Sequence, residues 1–272
     1  MLFDKINFDG KERVIYVLDK NDSGYPYTLL ACPNEPVPLY GIGNIELLKT
    51  SIVAVVGTRE PTPMGEKISY SVASSMASRG MTVLSGLALG IDTHAHEGAL
   101  SVAGGKTIAV MATSLRSSIY PKANDNLSKR IIAQGGLLVT TYKDEEEDFK
   151  SRLINRSLLQ ARMSIALVLI QSGIFNPSDR TAKPAGSRHA TNEAHRLRRM
   201  IIAPNPVGKD ERYHPEKYQG VREAMNFSDT CVLRGSEDYD QFVRLIELRK
   251  PHLLLEAYAR KKDMGIERLS RI

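Results

Sequence analysis

Two short segments combine glycine with polar and charged residues at points where apolar runs end. Residues 57–59 read Gly-Thr-Arg and follow the apolar run 52–56, while residues 85–92 read Ser-Gly-Leu-Ala-Leu-Gly-Ile-Asp and follow 81–84. Glycine lets backbone N–H groups approach an anion, and an arginine fork binds phosphate oxygens. The alternative is a pair of plain strand-to-helix turns with one surface arginine. Since parallel strands end at one edge of their sheet, the pair of segments predicts a site for a phosphorylated ligand.

The second segment continues into polar residues at helical spacing. Asp92 and His96 are four residues apart and share one face of the helix that follows, whereas His94 points elsewhere. Asp92 either caps the loop or contacts the ligand, and His96 is better explained as a histidine packed beneath the loop. A zinc site needs a third ligand, which this segment lacks. We therefore expect no metal and no bound cofactor.

Two later segments add basic and small polar residues. Lys150, Arg152 and Arg156 fall within two turns of a predicted helix, where they either bind phosphates or form a solvated basic face. Gly186 and Ser187 follow the fifth predicted strand and open another helix, whose N-terminus would lie beside the first two loops. The chain has no Ser-His-Asp triad, no GxSxG turn and no GxxxxGKS/T phosphate loop. No catalytic residue is predicted.

Apolar runs alternate with helical patterns along the middle of the chain. Strands are predicted at 52–56, 81–84, 107–112, 137–140, 165–170 and 200–203, and helices at 65–79, 91–103, 124–134, 150–163, 190–199 and around 251–262. This alternation indicates βαβ units and a parallel sheet. The prediction divides the chain into a lead-in packed on the core (1–50), the core (51–205) and an extension of uncertain fold without a clear winged helix (206–272). A long loop is expected at 171–186.

The composition limits the classes of function. The 272 residues carry 37 Lys and Arg against 31 Asp and Glu, a formal net charge of +6. This balance favours an anionic partner such as nucleic acid or a nucleotide, or simply a basic surface. Cys32 and Cys231 lack metal or redox spacing, and the chain shows neither a signal-peptide pattern nor an apolar run of ~18 residues. We expect a cytoplasmic protein with no membrane span. Because the chain has no Trp, Tyr or Arg side chains would have to stack on the bases.

Taken together, these residues resemble the DNA-processing protein A family, also called DprA or Smf. The matching features are the entry segment Tyr25-Pro26 with Pro38-Leu39-Tyr40-Gly41, Val56-Gly57-Thr58-Arg59, the segment 85–92 with His96 and 98–100, Tyr120-Pro121 and Gly136. The chain departs from the family where Leu153 and Ile154 separate Arg152 from Asn155-Arg156. It also departs where the turn at Gly186 follows an unusually long loop.

The resemblance implies an α/β domain with an extended Rossmann-like fold, in which a mostly parallel sheet carries helices on both faces. It also implies binding of single-stranded DNA at the carboxyl edge of the sheet, delivery of the strand to a RecA-type recombinase, and a homodimer. Among the residues expected to bind DNA or its phosphates, the resemblance implies Gly57, Arg59, Ser85, Gly86, Asp92 and His96. The patterns above add Thr58, Leu87, Gly90, Lys150, Arg152, Asn155, Arg156, Gly186 and Ser187.

A recombination mediator without catalytic activity is the leading interpretation, serving natural transformation or another DNA-processing pathway. The alternative is a nucleotide-binding sensor or a nucleotide-hydrolysing enzyme that uses the same pocket. The Pro-Gly-Gly-x-Gly-Thr loop of the related phosphoribohydrolases is absent from the chain. A third possibility is a scaffold that binds only protein partners, against which the basic loops argue mildly.

Overall fold

The apolar runs form parallel strands, and antiparallel strands extend the sheet on one side. The computed structural model describes residues 2–34, 36–144, 148–175, 184–206 and 208–266. Within these ranges the strands are β1 (Leu2–Phe8), β2 (Lys11–Leu18), β3 (Leu39–Gly43), β4 (Ile52–Val56), β5 (Thr82–Ser85), β6 (Thr107–Val110), β7 (Leu137–Thr140), β8 (Ala166–Leu169), β9 (Met200–Pro204) and β10 (Thr230–Leu233).

Helices cover both faces of this sheet. They are α1 (Tyr27–Leu30), α2 (Pro63–Ser78), α3 (Ile91–Leu100), α4 (Asp125–Ala133), α5 (Phe149–Met163), α6 (Arg188–Arg196), α7 (Lys209–Tyr213), α8 (Gln219–Ala224) and α9 (Asp238–Asp263). Crossovers between parallel strands are right-handed. The connections through α2, α3 and α4 therefore cover one face, and those through α5 and α6 return over the other. In agreement, α3 packs on α2 and α4, and α5 packs on α6.

The order of the strands places a switch point near the centre of the sheet. Across the sheet the order is β1-β2-β3-β7-β6-β5-β4-β8-β9-β10. Pairing is antiparallel from β1 to β7 and parallel from β7 to β10. The chain runs outward from β4 to β7 and then returns to β8 on the other side of β4. The carboxyl ends of β4 and β8 therefore frame a crevice of the kind in which open α/β sheets bind ligands. The predicted fold class is confirmed.

The central strands are buried along their whole length. Every residue of β4, β5, β6, β7 and β8 is buried. Because helices cover both faces, these strands are continuous apolar runs rather than alternating ones. The same feature made them predictable from the sequence.

An N-terminal hairpin forms in a region where the sequence analysis predicts no pair of strands. Residues Leu2–Phe8 pair with Lys11–Leu18 across a turn in which Asp9 and Gly10 have φ angles of 54° and 69°. The first strand, Leu-Phe-Asp-Lys-Ile-Asn-Phe, carries charged residues among apolar ones, as edge strands often do. One cross-strand ion pair joins Lys5 to Glu12 at 2.7 Å.

The C-terminal helix begins earlier than the sequence predicts. The expectation was a helix around 251–262, but α9 starts at Asp238 and passes through Pro251. The predicted helix lies within α9, but its start is wrong, because a proline removes one helical hydrogen bond and in a sequence marks a helix start. Buried Phe242 and Ile246 before the proline, and Leu253 after it, pack into the core and keep both halves in one helix. Of the predicted loop 171–186, residues 176–183 lie outside the described ranges.

A close contact between α2 and α3 gives the first prediction. A Cβ at Gly98 would lie 2.2 Å from the carbonyl oxygen of Tyr70. Helix propensity alone favours alanine by about 1 kcal/mol, but the backbone of α2 cannot yield. We expect Gly98→Ala to lower the free energy of unfolding in urea by about 1–3 kcal/mol. The control is Lys67→Ala on the exposed face of α2, which should change it by less than about 0.5 kcal/mol. A Gly98→Ala protein as stable as the wild type would contradict the contact.

Candidate functional site

The loop that follows β5 is organised by a buried carboxylate. Asp92, in the first turn of α3, is 4% exposed. Its Oδ2 accepts hydrogen bonds from the backbone N–H groups of Gly86 at 3.2 Å and Ala88 at 3.3 Å. Burial raises the pKa of Asp92, while the charge of Arg156 and these backbone donors oppose the shift. Of the two roles considered for Asp92, the hydrogen bonds are those of a loop organiser.

Arg156 of α5 holds the same loop from the other side. Its Nη1 donates to the carbonyl oxygen of Gly86 at 2.7 Å. A Cβ at Gly86 would lie 2.8 Å from Asp92 Oδ2, 2.8 Å from Arg156 Cζ and 2.5 Å from Gln160 Nε2, so only glycine fits there. Burial lowers the pKa of Arg156, and Asp92 opposes that shift. The two opposite charges and one glycine thus fix the loop to α5.

Three of the predicted contact residues are buried beneath this loop. Ser85 Oγ donates to the carbonyl oxygen of Val55 at 2.7 Å. His96 Nδ1 lies 2.7 Å from Thr107 Oγ1, and both His96 and Leu87 are 0% exposed. None of the three side chains reaches a surface in this structure. The three side chains therefore support the loop from within the core. For His96 this agrees with the interpretation of a histidine packed beneath the loop.

The loop after β4 packs backbone on backbone against the β5 loop. Gly90 has a φ of +75°, and a Cβ there would lie 2.6 Å from the carbonyl oxygens of Thr58 and Arg59. The N–H of Thr58 donates to the carbonyl oxygen of Gln171 at 2.8 Å, so it is already engaged. Arg59 itself is exposed at the rim. The exposed Arg59 side chain, and not the N–H of Thr58, is therefore the group of this loop that is available to an anion.

A cavity of about 780 Å³ lies between the carboxyl ends of β4 and β8 and the first turns of α5 and α6. Eight predicted site residues line it: Gly57, Thr58, Arg59, Asp92, Lys150, Arg156, Gly186 and Ser187. Seven do not line it: Ser85, Gly86, Leu87, Gly90, His96, Arg152 and Asn155. The four separate sequence segments thus meet at one place. The first and fourth contribute all of their predicted residues, and the second and third contribute only some.

Several residues of the cavity were not among the predicted contacts. Arg188 and His189 follow Ser187 directly and line the wall formed by α6. Burial, together with the charge of Arg188, lowers the pKa of His189 and favours its neutral form. Gln160 also lines the cavity, and its buried Nε2 has no hydrogen-bond partner among the described residues. The position of Arg188 one residue after a predicted Gly-Ser turn was the available signal, whereas nothing in the sequence marks Gln160.

The basic run of α5 divides between two environments. Lys150 and Arg156 face the cavity. Arg152 instead lies over the rings of Phe149 and Tyr142, with its Cζ 5.1 Å and 6.0 Å from their centroids. Asn155 donates from Nδ2 to the Tyr142 hydroxyl at 3.2 Å. Arg152 and Asn155 therefore lie beside the cavity rather than in it.

Two features are absent from the part of the chain that the structure describes. No group of three or more His, Cys, Asp or Glu side chains is arranged to hold a metal ion. No helix there combines the length and the apolar character needed to cross a bilayer.

A family model matches the region that contains the sheet and the cavity. The model of DNA recombination-mediator protein A covers residues 16–224, most of the chain. The chain belongs to this family. The DprA/Smf resemblance of the sequence is therefore confirmed.

Individual members of the DprA/Smf family agree with this assignment. Protein Smf of Escherichia coli is 28% identical over 193 residues, 71% of this chain and 49% of that protein. The DNA processing protein DprA of Streptococcus pneumoniae is 36% identical over 151 residues, 56% of this chain and 52% of that protein. The chain thus spans about half the length of these curated relatives.

Solved structures of DprA proteins share the fold. The X-ray structure of DprA from Streptococcus pneumoniae matches with a TM-score of 0.69 at 28% identity, over 82% of this chain and 72% of that one. DNA processing protein A from Helicobacter pylori matches with a TM-score of 0.69 at 23% identity, over 89% of this chain and 99% of that one.

The buried histidine predicts a specific dependence of stability on pH. Burial lowers the pKa of His96 from 6.5 to about 3. The His96 imidazole therefore binds a proton near pH 6.5 in the unfolded chain but stays neutral in the folded chain. Stability is lost as the pH falls below 6.5. Between pH 6.5 and 5 this one group should cost about 2 kcal/mol. Urea unfolding at pH 7 and pH 5 should show that loss in the wild type and a smaller one in His96→Gln. Equal losses would contradict a neutral, buried His96.

Proposed function

We propose that this chain binds single-stranded DNA in the cavity at the carboxyl edge of the sheet. The observation that carries the proposal is the meeting of four cations around one cavity. Arg59 comes from the β4 loop, Lys150 and Arg156 from α5, and Arg188 from α6. Asp92, the one acidic residue among the described residues of the lining, is turned toward the loop and faces Arg156. The cations leave a surplus of positive charge suited to phosphates.

The lining of the cavity has room for a base as well as a phosphate, which suits a single strand better than a duplex. Leu153 and Ile154 supply an apolar side beside the cations, so a base and its phosphate can be accommodated together. Most of these contacts would go to the backbone, which carries no sequence information. Binding should therefore be insensitive to sequence. Helicobacter pylori DNA processing protein A has a single-stranded DNA binding mode, which supports the same ligand class here.

We further propose that the bound strand is delivered to a RecA-type recombinase in the cytoplasm, without catalysis by this chain. The support is the family itself, whose model describes a recombination mediator. The sequence contains no hydrolytic triad or nucleotide-hydrolysing phosphate loop. Streptococcus pneumoniae and Bacillus subtilis relatives are DNA processing proteins by name, which agrees with a role in DNA processing such as natural transformation.

A basic rim residue gives the test of this function. Arg59→Ala should weaken binding of a labelled dT oligonucleotide about tenfold and lower the slope of log K against log salt by about 1. Fluorescence anisotropy at several salt concentrations measures both. The matched control is Lys49→Ala, which removes one exposed charge at the opposite edge of the sheet. Binding that is independent of salt, or equal losses in the two variants, would overturn the proposal.

The volume of the cavity favours one second candidate, a mononucleotide ligand. About 780 Å³ is within the range of small-molecule sites. A sensor or a nucleotide hydrolase would be stabilised against heat by mononucleotides. Stabilisation by a mononucleotide, together with no binding of oligonucleotides, would select this candidate.

We also propose a homodimer formed through α9. The α9 seam consists of Gln241, Leu245, Leu248, His252, Leu255 and Ala259, spaced alternately by four and three residues as in a coiled coil. Leu248 and Leu255 are each 68% exposed, opposite the face that packs on the core. The spacing is symmetric about Lys250. An antiparallel second copy would therefore bring Leu245 onto the partner's Leu255, so one seam is complementary to itself.

This arrangement predicts the effect of a charge in the seam. Leu248→Glu should raise the dissociation constant of the dimer at least about tenfold, because a carboxylate would be buried against apolar side chains. Sedimentation velocity over a range of concentrations measures it. Val37→Glu is the control, since Val37 is also exposed at 42% but lies in a loop outside the seam. A monomeric wild type, or a Leu248→Glu protein that remains a dimer, would contradict the α9 interface.

A further inference from the structure

An exposed aromatic residue stands beside the cavity and takes no part in the site described above. Tyr120 belongs to the segment that follows the carboxyl end of β6, at the same edge of the sheet as the cavity. Its side chain is 42% exposed. Two neighbours connect it to the cavity. Its ring packs on Phe149, the residue before cavity-lining Lys150, and its hydroxyl is close enough to influence the pKa of Arg156.

The ring of Tyr120 is fixed by an aromatic contact. The Tyr120 and Phe149 centroids are 4.7 Å apart and the rings are nearly perpendicular, at 86°. In such an edge-to-face pair, at least one face of each ring is left uncovered by the other. The Arg152 guanidinium lies over Phe149 at 5.1 Å and fixes that ring in turn. Tyr120 is thus held in place with one face of its ring clear of Phe149.

The segment that carries Tyr120 is also anchored to the loop of the site. Asn124 donates from Nδ2 to the carbonyl oxygens of Leu87 at 2.9 Å and Ala88 at 3.1 Å. Its backbone N–H donates to the carbonyl oxygen of Pro121 at 2.9 Å. Asn124 thus joins the residue after Tyr120 to the β5 loop, and its hydrogen bonds set the distance between Tyr120 and that loop. A ring held this way loses little conformational entropy when a ligand stacks on it.

We propose that Tyr120 is a stacking platform for one nucleobase of a strand whose backbone lies along Lys150 and Arg156. This inference rests on the proposed binding of single-stranded DNA and adds a base-binding position outside the cavity. A half-exposed aromatic ring within reach of two cations is the arrangement that binds successive bases and phosphates together. Because the chain has no Trp, tyrosine and phenylalanine are the strongest stacking side chains available to it. Every base has a π face, so the platform would not select a sequence.

The test separates the base from the phosphate. Wild type, Tyr120→Ala and Tyr120→Phe are compared for binding to a dT oligonucleotide and to an oligomer of the same length made of abasic spacers, which keeps the phosphates. Tyr120→Ala should bind dT about tenfold more weakly, with an unchanged salt slope. Tyr120→Phe should bind as the wild type does, because the ring and not the hydroxyl stacks. On the abasic oligomer, all three should bind equally.

A matched control and the contrary outcomes complete the experiment. Tyr70→Ala removes a tyrosine that is equally exposed, at 41%, but lies on α2, and it should bind dT as the wild type does. An unchanged affinity of Tyr120→Ala for dT would overturn the platform, and so would an equal loss on dT and on the abasic oligomer. If the wild type itself does not bind dT, the proposed function fails first and the platform with it. Binding by the wild type with no effect at Tyr120 refutes the platform alone.

Discussion

The site depends on one charge pair, a buried carboxylate and a half-buried guanidinium, that encloses a glycine. Asp92 binds the N–H side of Gly86, and Arg156 binds its carbonyl oxygen. Neither charge would be tolerated without the other, because removing one partner leaves a buried, uncompensated ion. The pair joins the first turn of α3 to the second turn of α5, across a residue that must be glycine. The placement of Arg156 at the cavity therefore follows from the geometry of the β5 loop.

The C-terminal residues are tied to the same crevice. Gln171 follows β8; its Oε1 accepts from the N–H of Thr62 at 3.0 Å, and its Nε2 donates to the Tyr218 hydroxyl at 2.9 Å. That hydroxyl donates to Asp210 at 2.6 Å, and burial together with Asp210 raises the pKa of Tyr218 to about 12. A single amide thus connects the N-cap of α2 with α7 and α8. The boundary at 205 remains a prediction, but β10 and these contacts show residues beyond it taking part in the sheet and its crevice.

The sequence was informative where one local rule decides the structure. The six central strands were predicted because burial on both faces requires unbroken apolar runs. The β1–β2 hairpin and the start of α9 were not, since partly exposed strands mix charged and apolar residues, and a proline inside a helix is tolerated only when tertiary packing supports it. At the site, the glycine and arginine residues pointed to the crevice, but the direction in which each side chain points could not be derived from the sequence. Four residues on one helix separate Arg156, which faces the cavity, from Arg152, which packs on aromatic rings.

The division of cations between structure and ligand explains why the cavity can be both well ordered and attractive to anions. Arg156 donates to Gly86 and faces Asp92, so part of its charge is balanced within the protein. Arg59 and Lys150 are exposed and have no such partner in the β5 loop. A buried pair fixes geometry at little net gain in stability, whereas exposed cations lose little hydration before they meet a phosphate. Arg156 mainly holds the site together and adds its remaining charge to the cavity, whereas Arg59 and Lys150 are available to a phosphate.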